Sequence, residues 1–162
     1  MSIFARKDTI FLDMSHLAKL NFPPIRLKAR RTPNGKCEVF DAIRGRWLVL
    51  TPEEWVRRHV VAYLVSECGF AAHSIAEEYP VGINGMAQRA DIVVMDTCGS
   101  PYIVVECKEP EVKIDGGVYA QVVRYNSVLH CRYVVLTNGM ETYCFEVVDG
   151  EYVAVSNFPK AK

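Results

Sequence analysis

Two spacings of apolar residues divide the chain. Over TPEEWVRRHVVAYLVSECGF, residues 51–70, the positions Trp55, His59, Val60, Tyr63 and Leu64 recur at the three-to-four-residue interval of a helix with one packed face. Thr51 can cap this helix, Pro52 suits its first turn, Glu54 completes a Thr-x-x-Glu capping box, and Gly69 supplies a stop. Three runs with strand character follow: SIAEEYPVGI, RADIVVM and YIVVECK. A break at Pro110 precedes a second helix, roughly Gly116 to His130, with Val118, Val122, Tyr125 and Leu129 as its apolar stripe. RYVVLTN, TYCFEVV and EYVAV then read as strands, the last two joined by the Asp149-Gly150 turn. Ahead of the first helix, LKARRTPNGKCEVFD reads as a hairpin turning at Asn34-Gly35, and RWLVL as a short strand.

That order predicts an α/β fold with a mixed sheet. Three successive strands suggest an antiparallel meander, and a helical crossover then returns a fourth strand parallel to its neighbour. At 162 residues the chain is expected to be one domain. Residues 1–50 would form an N-terminal extension with the hairpin, residues 51–140 the core, and residues 141–162 the C-terminal strands.

Composition narrows the class. Half the residues are hydrophobic and 23% are charged, the balance of a globular protein rather than a disordered one. No apolar run reaches the length of a membrane span, and MSIFARKDTIFLDM lacks a signal peptide's pattern, so a cytoplasmic location is expected. The six cysteines form no C-x-x-C pair, which points to small buried hydrophobes rather than a zinc site or a disulfide framework. Net charge is zero, yet residues 1–62 hold 12 Lys and Arg against 6 Asp and Glu, while the rest hold 7 against 13. This split implies either a basic surface beside an acidic centre or an ordinary solvated N-terminal face.

The candidate chemistry depends on a turn. DTCGSP, between the second and third core strands, carries turn residues. With a loop over residues 97–100, Asp96 would pair with Pro101, Met95 with Tyr102, Val93 with Val104, and Asp91 with Glu106. Opposed residues share a face with their Cβ atoms about 4.5–5.5 Å apart, and strand alternation adds Lys108 to that face. Two opposed carboxylates repel in an apolar setting, and a cation relieves the conflict. Lys108 could supply part of it. A hard divalent ion such as magnesium suits two carboxylates better, which is the arrangement of metal-assisted phosphodiester hydrolysis. The plainer reading is a structural Lys–carboxylate pair at a strand end.

Asp91 followed by Glu106-Cys107-Lys108 resembles the signature of the PD-(D/E)xK nuclease superfamily, an acid on one strand and E-x-K on the next. The expected helix, three strands, helix and strand match that superfamily's restriction-endonuclease-like core. More closely, the chain resembles the N-terminal nuclease domain of type I restriction enzyme R subunits, whose Gln-x-x-x-Tyr element corresponds to Gln121 and Tyr125 in QVVRY. The resemblance, over about residues 50–140, implies a DNA endonuclease using magnesium or manganese. Asp91, Glu106 and the backbone carbonyl of Cys107 would be the metal ligands, Lys108 would position the attacking water, and Gln121 would assist near the phosphate. Glu78 is the first candidate for the family's additional acid, with Glu54 and Glu67 as alternatives. From the residues alone, Gln121 is equally a partner of the acidic cluster or a solvent-flanking residue beside a core Tyr125.

No G-x-x-x-x-G-K-[ST] phosphate loop is present. The expectation is therefore a stand-alone relative, or a component whose motor and specificity subunits lie on other chains, with DNA as partner and no membrane. The rival expectation is a non-catalytic module that keeps the fold and binds nucleic acid or a protein. Its motive is the basic segment holding Arg26, Lys28, Arg30 and Arg31.

Overall fold

The structure is a computed structural model that describes residues 14–162; the N-terminal stretch read above for a signal peptide lies almost wholly outside them. Among the described residues, nine strands and two α-helices follow in chain order, with a short 3-10 turn at Ala72–Ser74. β1 (Ala29–Arg31), β2 (Cys37–Asp41) and β3 (Arg46–Val49) make a small antiparallel sheet. Gly35, at φ +82°, turns the hairpin where Asn34-Gly35 was expected to. α1 (Pro52–Ser66) follows. The large sheet comprises β4 (Ile75–Ile83), β5 (Met86–Met95), β6 (Pro101–Cys107), β7 (Tyr133–Thr137), β8 (Thr142–Val148) and β9 (Glu151–Val155), with α2 (Gly116–Leu129) crossing between β6 and β7. Its strand order is β4-β5-β6-β7-β8-β9, with only β6–β7 parallel. The meander, the crossover and the mixed sheet are those the sequence predicts.

A helix covers each face of the sheet. Ile92, Val94, Ile103, Val105, Cys107 and Val135 pack with α1 through Val56, Val60 and Leu64. Val93, Val104, Val134 and Leu136 pack with α2 through Val118, Val122 and Tyr125. Strands buried on both faces read as unbroken apolar runs, and β5–β7 are the centre of the core. Cys68, Cys107, Cys131 and Cys144 are buried, in keeping with their reading as small hydrophobes.

Local details depart from expectation. On α1 the innermost stripe is Val56-Val60-Leu64; Trp55 and Tyr63 are only partly buried beside it. The capping box is half formed. The Glu54 N–H donates to Thr51 Oγ1 at 3.1 Å, but the Thr51 N–H donates to the Val49 carbonyl, because the Glu54 carboxylate is held by arginines. The β5–β6 turn is tighter than expected. Met95 pairs with Pro101, not Tyr102, across an irregularity between Val94 and Met95, and Asp96 closes the turn instead of pairing with Pro101. Its N–H donates to the Ser100 carbonyl, while its Oδ1 accepts from the Cys98 and Ser100 amides at 2.8 and 2.9 Å. Beyond that bulge the expected register holds: Val94 faces Ile103, Val93 faces Val104, and Ile92 faces Val105.

Candidate functional site

Continuing that register by one pair brings Asp91 opposite Glu106, at the end of the sheet where β6 runs out. Both are buried, 8% and 4% exposed. The pairs Glu77–Ile92 and Tyr79–Ala90 on β4 bracket Glu78 opposite Asp91, so three acids form a row across three strands. Glu78 takes φ +51° in mid-strand, a conformation that costs an L residue strain.

Asp91 is held from two sides. Its Oδ2 accepts the Cys107 backbone N–H at 2.8 Å, and its Oδ1 accepts from Arg57 Nη2 at 2.8 Å. Arg57, on α1, also reaches Glu53 at 3.2 Å, Glu54 at 2.8 Å and Glu78 at 3.0 Å. Burial disfavours its charge, but Asp91, Glu54 and Glu78 outweigh this and raise its pKa further. The cation that two buried acids call for is thus in part Arg57, which the sequence reading did not identify. An Arg aligned one turn beyond the Glu53-Glu54 pair was the available signal, yet nothing in the one-dimensional pattern separates it from a solvated face.

Glu106 is held less completely. Lys108 Nζ lies 3.3 Å from its Oε1, while Oε2 is buried with no hydrogen-bond partner. Burial and the Asp91 charge push its pKa up to about 8, against the opposing pull of Lys108. Burial depresses the Lys108 ammonium, but the Glu106 carboxylate more than compensates, and its pKa rises. Glu53 is also raised, by burial and then by Asp91.

Tyr125 faces this cluster from α2. Burial raises its hydroxyl, as do Glu106 and Asp91, while the Gln121 hydrogen bond opposes them. Gln121 Nε2 donates to Tyr125 Oη at 3.0 Å, so Gln121 is tied to the tyrosine rather than directly to an acid. Asp91, Glu106, Lys108, Tyr125, Glu78 and Glu54 are therefore brought together, with Gln121 one link outward. Glu67 is exposed at the far end of α1 and stands apart. A second ion-pair network adjoins the first. Arg58 joins Asp41 at 2.8 Å, Glu54 at 2.9 Å and Glu77; Arg44 joins Asp41 and lies 3.4 Å from Glu54.

The site offers a hard cation two adjacent carboxylates, one with an oxygen lacking a partner. Among the described residues, no three His, Cys, Asp or Glu side chains are grouped as a metal's ligand set, so further ligands would have to come from backbone, water or substrate oxygens.

A central mixed sheet flanked by two helices, with an acid on β5 and E-x-K closing β6, defines a restriction-endonuclease-like core. The model of the type I restriction enzyme R protein N terminus matches residues 52–159, and the chain belongs to that family. Among solved structures, a fragment assigned provisionally as an HsdR subunit of a type I restriction enzyme from Vibrio vulnificus YJ016 superposes with a TM-score of 0.55. Its identity is 27%, over 68% of this chain and 24% of that one. A protein assigned provisionally as a DUF820 nuclease, from Anabaena variabilis ATCC 29413, gives a TM-score of 0.38 at 12% identity, over 72% of this chain and 79% of that one. No curated protein matches. The chain thus spans about a quarter of the Vibrio fragment, and the family match runs past residue 140 to include β8 and β9.

Proposed function

We propose that the chain is a magnesium-dependent nuclease domain hydrolysing DNA phosphodiester bonds, with manganese able to substitute. The observation that carries this reading is the buried Asp91–Glu106 pair, with Glu106 Oε2 unpartnered and Lys108 Nζ 3.3 Å from Oε1. Asp91, Glu106 and the carbonyl of Cys107 would hold the ion. The chemistry that such an ion supplies when bound is polarisation of the phosphate and a lowered pKa for its water. Lys108, beside Glu106 Oε1, would orient a water and donate a hydrogen bond to a phosphate oxygen. Gln121 fixes the Tyr125 hydroxyl beside the acids and so acts as a positioning residue. Family membership supports DNA, and motor or specificity subunits on other chains, as partners.

One observation favours a second reading. Arg57 already satisfies one Asp91 oxygen, as it would in a non-catalytic module that keeps the fold and uses the guanidinium where a nuclease uses an ion. A plasmid-cleavage assay separates the two. Nicking that requires magnesium, and that falls by about 100-fold or more in both Glu106→Ala and Lys108→Ala, supports the nuclease. Equal traces with and without metal, or activity that survives both substitutions, support the module.

A further inference from the structure

We propose that the outward face of the β1–β3 sheet, where Lys28 and Arg30 lie over Trp47 and Phe40, grips the phosphate backbone of DNA. This sheet precedes the segment matched by the family model. Its pairing sorts the residues by face. Ala29 pairs with Val39, both buried, whereas Arg30 pairs with Glu38 and Phe40 with Trp47. Lys28, Arg30, Phe40 and Trp47 therefore share the outer face. Arg30 sits 4.2 Å from the Trp47 ring centre, and the Lys28 ammonium lies 5.0 Å from Phe40 and 5.6 Å from Trp47.

Rings that carry cations are not offering themselves to a protein's apolar anchors. They hold long side chains in place, so less freedom is lost when a phosphate arrives. A guanidinium stacked on a ring keeps its in-plane N–H groups available; Arg30 gives Nε and Nη2 to Glu38 Oε2 at 2.7 and 2.6 Å, and its side chain remains 49% exposed.

Charge points to the same partner. Residues 14–50 hold eight Lys and Arg against Glu38 and Asp41. Asp41 is consumed internally by Arg44 and Arg58, while Lys19, Arg26, Lys28, Arg30, Arg31, Lys36 and Arg46 are exposed. Glu38, paired with Arg30 at 2.6 Å, is the one acid on the face among the described residues. The Asp41–Arg58 pair connects the small sheet to α1 beside Arg57, so the face has a fixed relation to the candidate site. The inference rests on the nuclease reading only for naming the polyanion as DNA.

The test is anisotropy of a labelled mixed-sequence DNA duplex titrated with the full chain, in EDTA, across a range of salt. Because no metal is present, loss of catalysis cannot imitate loss of binding, and cleavage that fails while binding persists would count against the nuclease reading alone. Lys28→Gln/Arg30→Gln is expected to bind about 10-fold more weakly or worse, with the log–log salt slope reduced by about 2. Glu38→Gln, which frees Arg30, is expected to bind about 2- to 3-fold more tightly, a gain that misfolding does not produce. The charge-matched control Lys160→Gln/Lys162→Gln should stay within about 2-fold of the parent. Equal weakening of both double variants, an unchanged Lys28→Gln/Arg30→Gln variant, or displacement of DNA by poly-glutamate at equal charge would overturn the proposal.

Discussion

Glu106 carries the strongest conflict at the scale of single residues. A carboxyl in an unfolded chain titrates near 4.3, whereas burial and Asp91 push Glu106 up to about 8. Between those values the folded protein binds a proton that the unfolded chain has released. This part of the stability is therefore complete below the lower value and is lost as pH rises through the upper one. In metal-free protein, Glu106→Gln is expected to become more stable than the parent from about pH 5 to about pH 8, by on the order of a few kcal/mol. Urea denaturation across that range reads this directly, and parallel profiles would contradict it. Arg57 presents the complementary case. Arg57→Ala leaves Glu54, Glu78 and Asp91 without their shared cation, at a cost of about 3–5 kcal/mol. Magnesium should then raise the melting temperature of this variant more than that of the parent; equal shifts would show that the acids do not take the ion. Asp91, Glu106 and Lys108 were legible in the sequence because a two-residue strand period turns a turn position into a face. Arg57 was not, since its partners come from three separate segments.

At the scale of elements, apolar period and turn residues carried most of the information. α1, α2 and the six core strands lie where spacing, Pro52, Gly69 and Asp149-Gly150 place them. What the pattern did not carry was local competition for hydrogen bonds. Asp96 folds back onto the amides of Cys98 and Ser100 and absorbs one residue of register, yet the inner pairs, and with them the acids, keep their alignment. The Glu54 side chain leaves its capping role because two buried arginines bind a carboxylate more strongly than one exposed amide does. The junction from α2 to β7 illustrates the same economy. His130 enters the left-handed region at φ +54°, and buried Asn126 spans the gap by accepting the Cys131 N–H at 2.7 Å and donating to its carbonyl at 3.1 Å. Asn126→Ala is expected to cost about 1–3 kcal/mol. Thermal melting checks this, and an unchanged melting temperature would show that the junction is held by packing alone.

At the scale of the whole molecule, the charge split along the chain becomes spatial. The basic N-terminal segment supplies an outward sheet and the buried Arg57 and Arg58, and the acidic remainder supplies Glu77, Glu78 and Asp91 to them, alongside Asp41, Glu53 and Glu54 from the N-terminal segment itself. The order of elements and the E-x-K pattern made the family legible. The ion-pair network linking Asp41, Arg58, Glu54, Arg57 and Asp91 did not show in the sequence, because it exists only once β2 of the small sheet and β5 of the large one both meet α1. A metal-dependent nuclease of this geometry requires Asp91 and Glu106 to hold one ion. Crystals grown with manganese and measured at its absorption edge test that claim most directly. The expected result is an anomalous peak within about 2.0–2.3 Å of oxygens from both carboxyls, with the Arg57 guanidinium displaced from Asp91 Oδ1. Bound manganese elsewhere, with Arg57 still on Asp91 and no peak between the two acids, would contradict it.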